Sequence, residues 1–473
     1  MEKLIFEYSR KGRKAHTLPV APPVKFGLPA RKSLCLPEVS EIDVARHYTG
    51  LSRQNYGIDS GFYPLGSCTM KYNPKINEQI AALADFTGAH PAENPRALLK
   101  ILYDTERMLC QIFGYARFTL QPAAGAHGEF TGLLLIRAYH LDRGGVKRLK
   151  ILVPDAAHGT NPASCALAGF QSVTIKSLSG GGVDLEDLKQ HLDDNVAGLM
   201  LTNPNTLGLF EKNILEIAEL VHQAGGLLYY DGANANATMG IARPADMGFD
   251  VCHLNLHKTF SAPHGGGGPG SGPVGVVEKL APYLPRPVID RRDDKYFLND
   301  NLPKSIGKVH SFYGNVGVIL KAYAYLKIQG SSGLKRASEL AVLNANYIKA
   351  RLQDAYDFPY PQVCQHEFVI SAKNFKKQHG VTALDIAKRL MDYGYHPPTV
   401  YFPLIVSECL MIEPTETESK ESLDAFCEAL LKIAEEIKTA PELVKSAPHN
   451  AIVGRPDEVK AVKEPDLNYF QTG

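Results

Sequence analysis

The sequence predicts an α/β protein: a large domain on a mostly parallel sheet, followed by a smaller α+β domain. Short apolar runs of strand length alternate with helical stretches from residue 149 to residue 230. Repeated strand–helix–strand units build parallel sheets with helices on both faces. The run Leu227-Leu228-Tyr229-Tyr230 is short, aromatic-rich and preceded by Gly225-Gly226, which marks a buried strand. After Val277 the alternation weakens, and long helical segments with only two strand-like pieces follow. At 473 residues the chain has room for two or three units. The expected boundaries are 1–60 for an N-terminal arm, 61–315 for the large domain, and 316–473 for the small domain with its polar tail.

In chain order, residues 1–60 are rich in proline and basic residues and show little periodicity. They are expected to form an extended arm over a partner, stiffened by Pro19, Pro22, Pro23, Pro29 and Pro37, with some helix at 40–48. A loop from Tyr63 to Pro74 leads into a helix at 75–84, and a helix at 97–113 stops at Gly114. Leu120-Gln121-Pro122-Ala123-Ala124-Gly125-Ala126-His127-Gly128-Glu129 opens an apolar helix that reaches about 139. Strand 149–153 ends in Asp155-Ala156-Ala157-His158-Gly159-Thr160-Asn161-Pro162, and Pro162 suits the first turn of a helix at 161–169. Strand 172–176 precedes a helix capped by Asp184 and carrying Leu185, Leu188 and Leu192. Strand 198–202 ends at Thr202, before Asn203-Pro204-Asn205-Thr206. Helix 212–224 places Ile214, Ile217, Ala218 and Val221 on one face, and Gly225 ends it. Residues 283–305 are rich in proline and charge and are expected to make an ordered surface excursion. Helix 316–329 leads to the small domain, with helices at 334–355, 383–393 and 420–438 and strands at 367–372 and 403–412.

The chemistry concentrates between Asp231 and Val276. Strand 227–230 delivers Asp231, the run 252–256 delivers Lys258, and a strand-like piece at 273–277 follows a glycine-rich segment. Ligands of open α/β sheets sit at the carboxyl ends of strands. An amine and a carboxylate presented there suit pyridoxal phosphate, which needs a lysine to carry it as a Schiff base and an anion beside its ring nitrogen. A plain Asp–Lys ion pair is the bland alternative. His257 and Thr259 beside the lysine, and the glycines directly after it, favour the cofactor. The glycine-rich segment is no dinucleotide loop, because Pro269 and Pro273 prevent a helix from opening there, and Lys258-Thr259 lacks the preceding glycine of a Walker loop. The small residues Ala124, Gly125 and Ala126 at a helix start allow backbone N–H groups to reach a phosphate, where the helix dipole favours it. Thr202, His257 and Thr259 complete the expected cofactor contacts, and His158 is expected to stack on the ring.

Composition excludes several classes. The apolar fraction of 44% and charged fraction of 21% are ordinary for a globular protein. A net charge of +1 gives no reason to expect nucleic acid or an anionic membrane as partner. No apolar run could span a bilayer, and the basic N-terminal stretch has no apolar segment behind it, so no secretory signal is expected. The eight cysteines are scattered without a CxxC, which points to reduced thiols in a cytoplasmic setting. Cys252, His253 and His257 beside a lysine are more simply packing and cofactor contacts than a metal site.

The blocks PLGSCTMKYNP, LQPAAGAHGE, HGTNPAS, MLTNPNTLGLFEKNI, YYDGANANA, LNLHKTF, PHGGGGPGSGPVGV, HEFVISA and HPPTVYFPLIVSECLMIEPTETESKESLDAF resemble the glycine decarboxylase P-protein family. The resemblance runs from about Tyr63 to Pro448 and is to subunit 2 of the two-subunit bacterial form. It implies fold type I of the pyridoxal-phosphate enzymes, with a seven-stranded, mostly parallel sheet. It implies decarboxylation of glycine with transfer of the aminomethyl group to the lipoyl arm of H-protein. It also implies a heterotetramer with subunit 1, Lys258 as the cofactor lysine and Asp231 as the partner of the ring nitrogen. Two departures from the family pattern stand out: the segment His90-Pro91-Ala92-Glu93-Asn94-Pro95-Arg96, where a glutamine and an acidic pair are usual, and Ala156, where serine is common. The rival readings are another fold-type-I enzyme acting on glycine, such as serine hydroxymethyltransferase, and a non-catalytic scaffold half. The late strand reads Ile412-Glu413-Pro414-Thr415 without an arginine to clamp a carboxylate, which suits a decarboxylase. Lys258 and Asp231 together argue against a scaffold.

Overall fold

The computed structural model describes residues 3–16, 27, 29, 34–93, 95–264 and 270–467. The chain divides into two units, Met1–Gly61 with Pro448–Gly473, and Phe62–Ala447. Among the described residues no helix is long and apolar enough to cross a membrane.

The larger unit is built on a seven-stranded sheet. Its strands are β1 (Arg117–Thr119), β2 (Lys150–Pro154), β3 (Gln171–Ile175), β4 (Val196–Thr202), β5 (Leu227–Gly232), β6 (Val251–Leu254) and β7 (Val274–Val276). Their order is β1-β7-β6-β5-β4-β2-β3. β3, β2, β4, β5 and β6 pair in parallel, while β7 runs antiparallel to both β6 and β1. Every residue of β5 and β6 is buried, as expected of strands covered on both faces. The strand order reverses at β2, which has β3 on one side and β4 on the other. The crevice at such a reversal, beyond the carboxyl ends of the strands, is where open α/β sheets bind ligands.

One helix, Gly125–Asp142, lies directly on the sheet. Its close approach depends on Gly132, where any Cβ would run into the ring of Tyr229. The opposite face packs Leu188, Ile217 and Val221 against Leu199 and Leu228.

The second core of this unit lies under a three-stranded antiparallel sheet. The short hairpin β8 (Val288–Arg292) and β9 (Lys295–Asn299) comes first in the chain, followed by β10 (Phe368–Ser371), β11 (Thr399–Val400) and β12 (Cys409–Ile412). β12 is central, flanked by β10 and β11. Ile348, Leu352, Phe368, Ile370, Phe426 and Leu430 fill the core beneath it. The pairing of Phe368 with Ile412 sets His366 and Glu367, just before β10, beside Glu413, just after β12. The loop after Tyr63 is zipped to the same strand by the Leu65–Ile412 bridge and by Gly66 N donating to the Met411 carbonyl at 3.3 Å.

In the smaller unit the helix Glu41–Arg53 is capped by Ser40, whose hydroxyl accepts from Asp43 N. It is longer than the helix expected at 40–48. A 3-10 turn at Ile5–Tyr8 precedes it, so this region is not a uniformly extended arm. Pro19, Pro22 and Pro23 lie outside the described residues. Elsewhere, Val316–Leu352 runs as one element with non-helical backbone at Gly330, between the two helices expected there. The expected strand at 403–412 is only β12, because the chain turns first, with Val406 N donating to the Pro403 carbonyl at 3.1 Å. β1, β11 and the β8–β9 hairpin were not foreseen.

Candidate active site

At the carboxyl ends of β2, β4, β5 and β6 lies a cavity of about 230 Å³. Asp231 and Lys258 both line it. Asp231 is buried and well supported. Asn161 Nδ2 donates to its Oδ2 at 3.0 Å, Ala233 N donates to its Oδ1 at 3.1 Å, and His253 Nε2 lies 3.4 Å away. Burial alone would raise its pKa. The His253 ring, the Asn161 amide, the Ala233 N–H and the nearby Lys258 outweigh that and hold the carboxyl below its ordinary range. Lys258 Nζ donates to the Ser67 carbonyl at 2.6 Å.

The helix Gly125–Asp142 points its amino end into the cavity through Gly125 and Ala126. No side chain caps it, so its first N–H groups and the positive end of its dipole face the open space. A Cβ on Gly125 would sit 2.5 Å from Asn255 Oδ1, so the backbone approaches only because the side chain is absent. His158 lines the wall, and its Nδ1 lies 2.9 Å from Thr160 Oγ1. Thr160 Oγ1 donates to Glu129 Oε1 at 2.7 Å, and Ser164 Oγ donates to Glu129 Oε2 at 2.9 Å. That chain orients the imidazole. Phe402 meets the ring edge-on at 5.3 Å between centroids.

Of the residues singled out in the sequence, Lys258, Asp231, His158, Gly125, Ala126, Thr202 and His257 face this cavity. Thr202 Oγ1 is buried without a hydrogen-bond partner among the described residues. Burial, with help from His264 and Lys258, pushes the His257 imidazole down to about 3, so it is neutral. Ala124 is the N-cap of the helix and stands just behind the lining. Thr259 does not reach the cavity. Its hydroxyl accepts from Ala235 N at 2.9 Å, and its carbonyl accepts from the buried Lys71 Nζ at 2.7 Å. The segment from Gly265 to Gly268 lies outside the described residues.

Sequence reasoning missed Asn161, Ser67, Asn255 and the group His366, Glu367 and Glu413. Asn161 stands in the quoted HGTNPAS block, but its aim at Asp231 follows from the helix Thr160–Leu167 starting at that point. Glu413 accepts from Thr69 Oγ1 at 2.7 Å, Thr69 N at 3.2 Å, Asn234 Nδ2 at 2.9 Å and Asn236 Nδ2 at 2.7 Å. Glu367 accepts from Ser67 N at 2.8 Å.

Two family models match: "Glycine dehydrogenase, C-terminal domain" over residues 337–457 and "Aminotransferase class-V" over residues 137–267. The chain is 61% identical over 477 residues to the probable glycine dehydrogenase (decarboxylating) subunit 2 of Caldanaerobacter subterraneus, an alignment covering 98% of each chain. This chain belongs to the glycine dehydrogenase (decarboxylating) subunit 2 family. The subunit 2 of Exiguobacterium sibiricum is 58% identical, with 99% of this chain and 97% of that one aligned. The family's designation as subunit 2 implies a subunit 1. Among solved structures, a glycine decarboxylase (P-protein) of the glycine cleavage system in inhibitor-bound form superposes with a TM-score of 0.70. It is 20% identical, and the match covers 88% of this chain and 92% of that one. A Lactobacillus brevis glutamate decarboxylase superposes at 0.65 with 12% identity, covering 90% and 96%. The glycine dehydrogenase family thus carries the aminotransferase-like fold of type I pyridoxal-phosphate enzymes, with a seven-stranded, mostly parallel sheet and a C-terminal domain.

Proposed function

We propose that this chain is the cofactor-carrying half of a glycine decarboxylase, releasing carbon dioxide from glycine and passing the aminomethyl group to the lipoyl arm of H-protein in the glycine cleavage system. The arrangement that carries this reading is one cavity lined by Lys258, Asp231 and the uncapped start of the Gly125–Asp142 helix. The residues fit pyridoxal phosphate: a helix amino end bare of side chains, an orphaned Thr202 hydroxyl, and a buried carboxylate held ionised. When bound, the cofactor supplies an electron sink for the pair left at the α-carbon as carbon dioxide departs. Lys258 would tether it through its amine. Asp231 would keep a proton on the ring nitrogen, because its carboxyl stays ionised at neutral pH. Backbone N–H groups of Gly125 and Ala126 would hold the phosphate, with Ala124 setting the entry angle. His158 would lie against the ring, its tilt set by Thr160 and Glu129. Thr259 would act indirectly by fixing the turn at Ala235.

The expected assembly is a heterotetramer of two copies each of this chain and subunit 1, with residues 61–315 as the cofactor domain. A cytoplasmic location accords with eight cysteines that form no disulfide. The test is glycine-dependent carbon dioxide exchange by this chain with subunit 1 and lipoylated H-protein. Borohydride reduction and peptide mapping should place the cofactor on Lys258. Label on another lysine, or no exchange in the complete mixture, sinks the proposal.

A further inference from the structure

His366 and Glu367 line the same cavity as Lys258, yet no cofactor contact uses them. His366 is 1% exposed, and neither ring nitrogen has a hydrogen-bond partner among the described residues. A buried imidazole left so is costly unless a ligand completes it. We propose that the carboxylate of glycine is received by the imidazole N–H of His366, beside Glu367, and not by an arginine. This rests on the reading that glycine meets its cofactor at Lys258.

Charge and geometry both favour it. Among the described residues lining the cavity, Lys258 is the only lysine or arginine. Carboxylate oxygens of Glu367 and Glu413 and a ring nitrogen of His366 lie within 4.8 Å of one another. Two carboxylates so close do not both ionise in a buried site. Glu413 has four donors and Glu367 one, so a proton held in this pair sits on Glu367. Burial first, and then Glu413, push the Glu367 carboxyl up to about 8. Burial lowers the pKa of His366, which keeps it neutral with one N–H to give. Four donors also leave Glu413 little capacity to ligate a metal. A neutral donor fixes the carboxylate without neutralising it. The ground state is then not overstabilised against a transition state in which that charge leaves.

The experiment uses the complex of this chain with subunit 1, loaded with pyridoxal phosphate. The change in cofactor absorbance is titrated with glycine and with methylamine, which lacks the carboxylate. His366→Phe is expected to weaken glycine by about tenfold or more, the worth of one hydrogen bond to a charged group, and to leave methylamine within about threefold. His366→Gln, which restores an N–H, should recover most of the glycine affinity. Equal losses for both amines, or no loss for either, overturn the proposal.

A second measurement does not depend on that variant. The titratable groups around Glu367 are Glu413, Lys258, Cys68, Cys364 and His366, and the Ser67 N–H donates to it. Preference for glycine over methylamine should fall as pH rises through about 8, as Glu367 ionises and repels the carboxylate. Glu367→Gln should flatten that fall. A flat native profile, or an equally steep one in the variant, overturns the proposal. A native complex in which neither amine perturbs the cofactor overturns the reading of the site itself.

Discussion

Asp231 shows how a single side chain is tuned. It is buried, which alone would favour the neutral acid, yet three polar neighbours and Lys258 keep it ionised. Asp231→Asn, nearly identical in shape, is predicted to retain cofactor and fold but to lose decarboxylation by at least about a hundredfold, a loss of roughly 2.7 kcal/mol of transition-state stabilisation. Full activity in that variant would falsify the electron-sink role. Lys71 is a structural counterpart. Its Nζ contacts Glu416 at 2.7 Å and the Thr259 carbonyl at 2.7 Å, with the side chain 1% exposed. Removing it as Lys71→Met strands a largely buried carboxylate, so a stability loss of roughly 3 kcal/mol is predicted from chemical denaturation. Lys258 and Asp231 were legible in the sequence because each follows a short apolar run that ends at the sheet's functional edge. Glu413 was not, because its meaning depends on the pairing of Phe368 with Ile412, a contact between distant segments that no local pattern encodes.

Among the elements, the helix Gly125–Asp142 joins packing to chemistry. Its approach to the sheet and its reach into the cavity both depend on missing side chains. Gly125→Ala would drive a Cβ against Asn255 and push the helix start away from the space the phosphate is expected to fill. Cofactor affinity should fall about tenfold or more, equivalent to about 1.4 kcal/mol, measured by equilibrium titration of the cofactor-free protein. Unchanged affinity would separate the helix start from the phosphate. The strands around the site were foreseen because parallel strands covered on both faces leave continuous apolar runs. β1, with three residues, and β11, with two, are too short to leave a period in the sequence. The β8–β9 hairpin was hidden because its residues are half-exposed and charged, so it read as an excursion. Asp184 was legible as a cap, and its carboxylate does accept from Glu186 N and Asp187 N.

At the scale of the whole molecule, the two shifted carboxyls that line the cavity, Asp231 and Glu367, act at opposite ends of the pH scale. Asp231, with its folded pKa depressed, contributes stability that is present above the unfolded value of 3.8 and is lost as pH falls below it. Glu367, with its folded pKa raised, contributes stability that is complete below 4.5 and is lost as pH rises toward about 8. The seven-stranded sheet and the order of its helices were largely legible, since the alternation of strand and helix persists through the large domain. The partner enters at this scale too. The larger unit brings Lys258, Asp231, His158, Thr202 and the start of the Gly125–Asp142 helix to one cavity, so the isolated chain is predicted to take up pyridoxal phosphate and to absorb as a lysine-bound cofactor. Cofactor uptake does not require turnover. Family membership assigns this chain as subunit 2, which implies a subunit 1. The remaining substrate contacts, and the entry route for a lipoyl arm, are therefore expected from subunit 1. Purified alone, the chain should be yellow yet nearly inert in glycine-dependent carbon dioxide exchange with lipoylated H-protein, and adding subunit 1 should restore exchange in proportion to complex formed. Full exchange by the chain and H-protein without subunit 1 would show that the site is complete in one chain.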